Sequence, residues 1–278
     1  MDEGGSYRLQ GRRVLVTGAS SGIGAAVARE LAAAGAVVGI CARRAERLAD
    51  VLADCRRHTP ESRMWVTDLS RLDEVGGFAE RVVEDLGGVD VLVNNAGIPK
   101  RRHVRELTAQ VVDEVIGVNL LSPVRLTLAL LPGMLARRDG CIVNVSSIAA
   151  RLSPPREAAY AAAKAGLTAW TESMAVDLHG TGVHVHLVFP GVIDTELYDQ
   201  PDNDPSLSDL EALSPADLAV AMRRQIEDGS LELYFPGWFA DMATGKAADV
   251  AGFLAGAAEW TAQREAATSS DQGRDPDG

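Results

Sequence analysis

The chain has 278 residues, 46% of them hydrophobic but only 5% aromatic, and a formal charge of -12 at pH 7. That length is enough for a sizeable core in one large α/β domain. So acidic a chain argues against nucleic acid or an anionic membrane as a partner, since both attract a net positive surface.

The opening MDEGGSYRLQGRR holds no apolar stretch and does not read as a signal peptide. From Arg13 short β-branched runs alternate with longer helical periods. RVLVTG reads as a buried strand, IGAAVARELAAAG as a helix stopped by Gly35, AVVGICA as a second strand and AERLADVLADCRR as a charged helix. RMWVTDL gives a third strand before a helix over 71–86, and VDVLVNNAG a fourth strand before a long helix over 108–135. GCIVNVSS is a fifth strand, the alanine-rich run around YAAAK a helix, and GVHVHLVFPG a sixth strand. Beyond Pro190 the regularity fails: 196–214 is polar and rich in Asp and Pro, and suits a substrate lid. PADLAVAMRRQIEDG then reads as a helix, LELYF as a seventh strand, and 264–278 as a disordered tail. Uninterrupted apolar strands alternating with helices predict a doubly wound parallel sheet of seven strands with helices on both faces, in a Rossmann-like α/β domain over 9–263. No run is expected to reach the ~18 apolar residues of a membrane span. Cys41, Cys55 and Cys141 show no CxxC pairing, and His184 and His186 lack a nearby third ligand. Neither a disulfide framework nor a metal site is expected, and a cytoplasmic protein is.

The first strand runs into Thr17-Gly-Ala-Ser-Ser-Gly-Ile-Gly24, a GxxxGxG turn at the first βα junction. Such a turn presents backbone N–H groups and a helix N-terminus to a diphosphate. After the second strand, where a carboxylate would meet a ribose 2′-hydroxyl, stand Arg43 and Arg44. Their donor forks suit a 2′-phosphate, so NADP(H) is favoured over NAD(H). In Tyr160-Ala-Ala-Ala-Lys164 the phenol and the ammonium share one helix face, as a proton donor and its tuning cation would.

TGASSGIG, NNAG at 94–97, the serine pair at 146–147 and YAAAK, in this order and spacing, resemble the short-chain dehydrogenase/reductase family in its compact single-domain branch. The likeness covers roughly residues 11–234. It implies a catalytic group of Asn119, Ser147, Tyr160 and Lys164, with Ser147 chosen over Ser146 because it stands thirteen residues before the tyrosine. It further implies cofactor contacts from Gly18, Ser20, Ser21, Gly22, Ile23 and Gly24, and from Asp68 and Leu69 near the adenine. Asn94, Asn95, Ala96 and Gly97 would line the cleft, and Pro190, Gly191, Ile193 and Thr195 would lie beside the nicotinamide. Ser21 stands where many NADP-preferring members carry a basic residue, which leaves the choice to Arg43 and Arg44. Under this likeness Tyr160 exchanges a proton with a carbonyl or alcohol oxygen that Ser147 also holds, and Lys164 and the oxidised ring favour phenolate in a group that ordinarily titrates near ~10. Homodimers or homotetramers built on the two long helices are implied as well.

The substrate expected is a ketone or aldehyde and its alcohol. A narrower alternative is a 3-oxoacyl group on a carrier or coenzyme A, whose anionic handle would meet KRRHVRE at 100–106. Leu197, Tyr198 and YFPGWF are candidates for an apolar wall. A non-catalytic NADP(H) sensor is the alternative from another class; an intact Asn-Ser-Tyr-Lys set argues against it.

Overall fold

The computed structural model describes residues 7–196 and 202–272. In chain order the first half comprises β1 (Arg13–Thr17), α1 (Gly22–Ala33), β2 (Val37–Ala42), α2 (Ala45–Arg56), β3 (Arg63–Val66), α3 (Val75–Leu86), β4 (Val91–Asn94), α4 (Ala109–Ile116) and α5 (Ser122–Arg137). The second half comprises β5 (Gly140–Val145), α6 (Ala149–Leu152), α7 (Ala158–Asp177), β6 (Val183–Pro190), α8 (Pro215–Asp228), β7 (Glu232–Phe235), α9 (Phe239–Ala248) and α10 (Val250–Gln272). The strands form one sheet in the order β3-β2-β1-β4-β5-β6-β7, every pairing parallel.

Strand side chains alternate between the two faces. Val14, Val16, Val91, Val93 and Val143 meet Val27 and Leu31 of α1, Leu48 of α2 and Met222 of α8 on one side. Leu15, Leu92 and Ile142 meet Phe78 of α3, Leu126 and Met134 of α5 and Met174 of α7 on the other. The chain reverses its direction of travel across the sheet between β1 and β4, so the loops after these strands part and open a crevice at their C-terminal ends. Beneath it runs a buried polar ladder. Asn94 Nδ2 donates to Asn144 Oδ1 at 2.8 Å and to Thr127 Oγ1 at 3.1 Å, and Asn144 Nδ2 donates to Thr171 Oγ1 at 2.8 Å. These bonds link β4 and β5 to α5 and α7 where apolar contact alone would allow sliding.

Several elements differ from the sequence expectation. The helix expected from 71 starts at Val75, because Asp68 accepts from the Ser70 N–H and holds the preceding residues in turns. The helix expected over 108–135 is broken by a π-turn, Gly117–Leu121, that carries Asn119. Taken together, Ala109–Arg137 is long enough to span a membrane and contains an 18-residue window of mean hydropathy 1.6, which corrects the expectation that no run would be apolar enough. Half of that window is buried in this fold, with Leu126, Leu130 and Met134 in the core. The tail expected from 264 is helical as far as Gln272, since α10 is alanine-rich and tied down by Arg156–Glu265 and Arg264–Asp209 ion pairs. Short α6 and the helices α9 and α10 were not anticipated. Residues Leu197 and Tyr198 of the expected wall lie outside the described residues.

Asn144→Ala removes two bonds from the ladder and leaves Thr171 and Asn94 short of partners. Unfolding in urea is expected to show a loss of about 2–3 kcal/mol, with an unchanged denaturant slope.

Candidate active site

The two loops at the crevice are stitched together by one threonine. Thr17 Oγ1 accepts from the N–H groups of Asn95 and Ala96, both at 3.0 Å, while Asn95 Nδ2 donates to the Thr17 carbonyl at 3.0 Å. This close approach needs Gly18: its φ is 67°, and a Cβ there would lie 2.8 Å from the Cα of Ala96. The consequence is a cleft of about 510 Å³ that runs from Arg43 and Arg44 to Ser147 and Tyr160.

At the β1 end Gly18, Ser20, Ser21, Gly22 and Ile23 line the cleft. Gly24 is packed close behind the turn, where a Cβ would strike the Gly18 carbonyl oxygen at 2.4 Å and Asn95 Nδ2 at 2.5 Å. Its job is to seat α1 against the two loops. Arg44 lies across the turn, with Nε and Nη2 donating to Ser20 Oγ at 3.2 and 3.1 Å. Asp68 and Leu69 form the adjoining wall. Although burial opposes its charge, the Ser70 hydrogen bonds and the nearby Arg43 and Arg71 hold the Asp68 carboxyl below its ordinary value.

At the other end α7 presents Tyr160 and Lys164 to the cleft, both buried, with Lys164 Nζ 5.9 Å from the tyrosine ring centre. Lys164 Nζ donates to the Val145 carbonyl at 2.7 Å, and burial lowers its pKa from 10.5 to about 8. The two serines are used differently. Ser146 Oγ donates to the Lys164 carbonyl at 3.1 Å and lies 2.8 Å from Thr168 Oγ1. Ser147 Oγ accepts from the Ala149 N–H at 3.1 Å, which leaves its proton to be given into the cleft. Pro190, Gly191, Ile193 and Thr195 line the same region, together with Asn95, Ala96 and Gly97. Gly191 leaves room for the Phe239 ring, which a Cβ would meet at 2.2 Å.

Two expected residues stand back from the wall. Asn94 is taken up by the ladder under the sheet end. Asn119 is fully buried; its Oδ1 accepts from the Ile98 N–H at 2.8 Å and its Nδ2 donates to the Ile98 carbonyl at 2.9 Å. It fixes the loop that carries Gly97 and Ile98, and Val118 beside it lines the cleft instead. The sequence reading missed Ile98, Pro99, Val118 and Glu196 as lining residues. Ile98, Pro99 and Glu196 directly follow motifs that were read, so adjacency could have found them; nothing in the pattern marks Val118.

The two oppositely charged stretches at the mouth hold each other. Lys100 Nζ and Arg102 Nη2 donate to the Asp202 carbonyl, each at 3.1 Å, and the Arg101 N–H donates to Asn203 Oδ1 at 2.8 Å. Arg101 also pairs at 3.2 Å with Glu157, the residue just before α7, and both side chains are about nine-tenths buried. Burial pushes the Glu157 carboxyl up, against the pull of Arg101.

The buried ammonium gives a pH-dependent signature. Because the folded pKa of Lys164 lies below the unfolded value, the unfolded chain binds the extra proton between pH 8 and 10.5. The penalty stands in full below pH 8, fades as pH rises through that window and is gone above it. The unfolding free energy of the cofactor-free protein should therefore rise, relative to Lys164→Met, by ~3 kcal/mol across the window. Paired chemical denaturation curves at stepped pH check this; parallel profiles would mean that the ammonium is not held out of water.

A sequence profile described as short chain dehydrogenase matches residues 12–205. Nodulation protein G of Rhizobium sp. (strain N33) is 35% identical over 249 residues, spanning 90% of this chain and 99% of that protein. A short chain dehydrogenase/reductase from Burkholderia phymatum, solved in complex with NAD, superposes with a TM-score of 0.80 at 25% identity over 88% of this chain and 95% of its own. A metagenomic short-chain oxidoreductase in complex with NADP gives 0.68 at 34% identity over 82% and 98%. With its parallel sheet, its Gly-rich turn and its Tyr160–Lys164 pair, this chain belongs to the short-chain dehydrogenase/reductase family.

Proposed function

We propose that the protein is an NADP-preferring oxidoreductase that interconverts a ketone or aldehyde and its alcohol, with Tyr160 as the general acid and base. The observation that carries this reading is the convergence of Tyr160, Ser147 and Lys164 on one end of a cleft whose other end holds Arg43 and Arg44. A dinucleotide fits the residues present. Gly18 and Gly22 leave open space where side chains would crowd Ala96 and Thr195, and the α1 N-terminus faces the turn. Ser20, Ser21, Gly22 and Ile23 would hold the diphosphate, Asp68 and Leu69 the adenine, and Arg43 and Arg44 the 2′-phosphate. A bound nicotinamide supplies or accepts the hydride.

In the reducing direction Tyr160 gives its phenolic proton to the carbonyl oxygen, and in the oxidising direction it takes the proton back. Ser147 donates a second hydrogen bond to the same oxygen, where negative charge develops. Lys164, cationic and anchored to Val145, favours the phenolate, and the two titrate as a coupled pair. Asn119 touches none of the reacting atoms in this account; it fixes Ile98 and the loop in front of Lys164.

The substrate is a small to medium, mostly apolar carbonyl compound. Ile98, Pro99 and Pro190 supply apolar lining near Tyr160. The basic run is bonded to residues 202–204, which weakens the case for a carrier handle there. Lys100→Ala and Arg102→Ala are accordingly expected to change KM equally for a carrier-linked 3-oxoacyl thioester and its short free analogue, while a loss confined to the carrier-linked form would restore that reading. A cytoplasmic setting agrees with three free, buried cysteines, and a homo-oligomer is proposed from the family likeness.

Tyr160→Phe tests the chemistry. Binding of NADPH, followed by tryptophan fluorescence, should stay within about 2-fold of wild type, while turnover of any active carbonyl substrate falls by ~10²–10⁴. Undiminished turnover would remove Tyr160 from the mechanism. A wild-type protein that binds NADPH yet is inert on a broad carbonyl and alcohol panel would favour the sensor.

A further inference from the structure

Glu196 directly follows the Pro190–Thr195 segment and reaches across the cleft to the opposite wall. Its Oε2 accepts from Arg44 Nη1 at 3.0 Å and also from Arg47. The remaining nitrogens of Arg44 face the turn, donating to Ser20 Oγ and Ser21 Oγ. The guanidinium is thus engaged on both sides, by loop hydroxyls and by a carboxylate from a distant segment. Carboxylate and phosphate are alternative partners for the same donor fork. They also repel each other, so a 2′-phosphate arriving at Arg44 and the Glu196 carboxylate do not share it comfortably. Arg47 does not line the cleft, and its bond to Glu196 need not break when Arg44 turns to a new anion. The Arg47 hydrogen bond first, and the Arg44 hydrogen bond after it, hold the Glu196 carboxyl below its ordinary value, so it is charged at neutral pH.

We infer that Glu196 is a specificity-determining residue, an internal competitor for Arg44 that a 2′-phosphate must displace and a 2′-hydroxyl need not. This rests on the assignment of Arg44 to the 2′-phosphate of NADP(H). The competition lowers the NADP(H) preference that Arg43 and Arg44 would otherwise give. Glu196→Gln keeps the size of the side chain and removes its charge.

The test is calorimetric titration of wild type, Glu196→Gln, Arg44→Ala and the double variant, at one fixed salt concentration. The ligands are NADPH, NADH, adenosine 2′,5′-bisphosphate and adenosine 5′-monophosphate, so binding is read without turnover. Glu196→Gln should tighten NADPH and the bisphosphate by about 2- to 5-fold, as befits exposed ion pairs, and leave NADH and the monophosphate nearly unchanged. In the Arg44→Ala background that gain should vanish. Equal tightening of all four ligands would mean that Glu196 only narrows the cleft, and overturns the inference. No tightening, in a wild-type protein that still prefers NADPH through Arg44, overturns it too and leaves the cofactor reading standing. A wild type without that preference, indifferent to Arg44→Ala, removes the cofactor reading and this inference with it.

Discussion

The site depends on holding the Lys164 ammonium out of water. An isolated charge in that position would be costly, and the fold meets the cost with one strong acceptor, the Val145 carbonyl at the end of β5. That single bond joins the helix that carries Tyr160 to the strand end that carries Ser147. Burial lowers the lysine pKa to about 8, so at neutral pH the cation persists, close to the tyrosine ring and little screened by solvent. Such a placement requires α7 to stay in register with β5. The Asn94–Asn144–Thr171 ladder supplies that register through directional bonds, and Ser146 adds a second tie from the strand end to the Lys164 carbonyl and Thr168. Apolar contact alone sets how closely helix and sheet approach; the buried amides fix where along each other they rest.

The sheet and the motif residues were legible in the sequence for related reasons. Buried parallel strands must be apolar throughout, and turns at positive φ or in close contact must be glycine, so RVLVTG and the turn after it announce themselves. Gly18 and Gly24 show the limit of that logic. Both look like cofactor glycines, but only Gly18 faces the cleft, while Gly24 answers to packing against Gly18 and Asn95. A sequence records that a side chain is forbidden, not what forbids it. Asn119 shows the same ambiguity for an amide: the family likeness assigns it to the site, and the structure shows it on a π-turn with two bonds to Ile98.

What the sequence hid is mostly pairing across long separations. Nothing in the sequence links the basic run at 100–106 to the polar stretch at 196–214, yet Lys100, Arg101 and Arg102 bond to Asp202 and Asn203 about a hundred residues away. The end of the chain was misread for a comparable reason. Its polar composition suggests disorder, but alanine favours a helix, and the Arg156–Glu265 and Arg264–Asp209 pairs give that helix distant anchors.

These pairings place the cleft between two sets of charges that answer each other. At one end Lys100, Arg101 and Arg102 hold residues 202–204; at the other Arg44 and Arg47 hold Glu196. Glu196 and Asp202 are thus each held to an opposing wall of the cleft by ion pairs or hydrogen bonds. Exposed pairs of this kind are individually weak. Arg101 differs from the rest: it is buried against Glu157, just before α7, and so is also joined to the helix that positions Tyr160. Residues 203–204, which Arg101 holds, are therefore linked to the helix that carries Tyr160 through one buried ion pair.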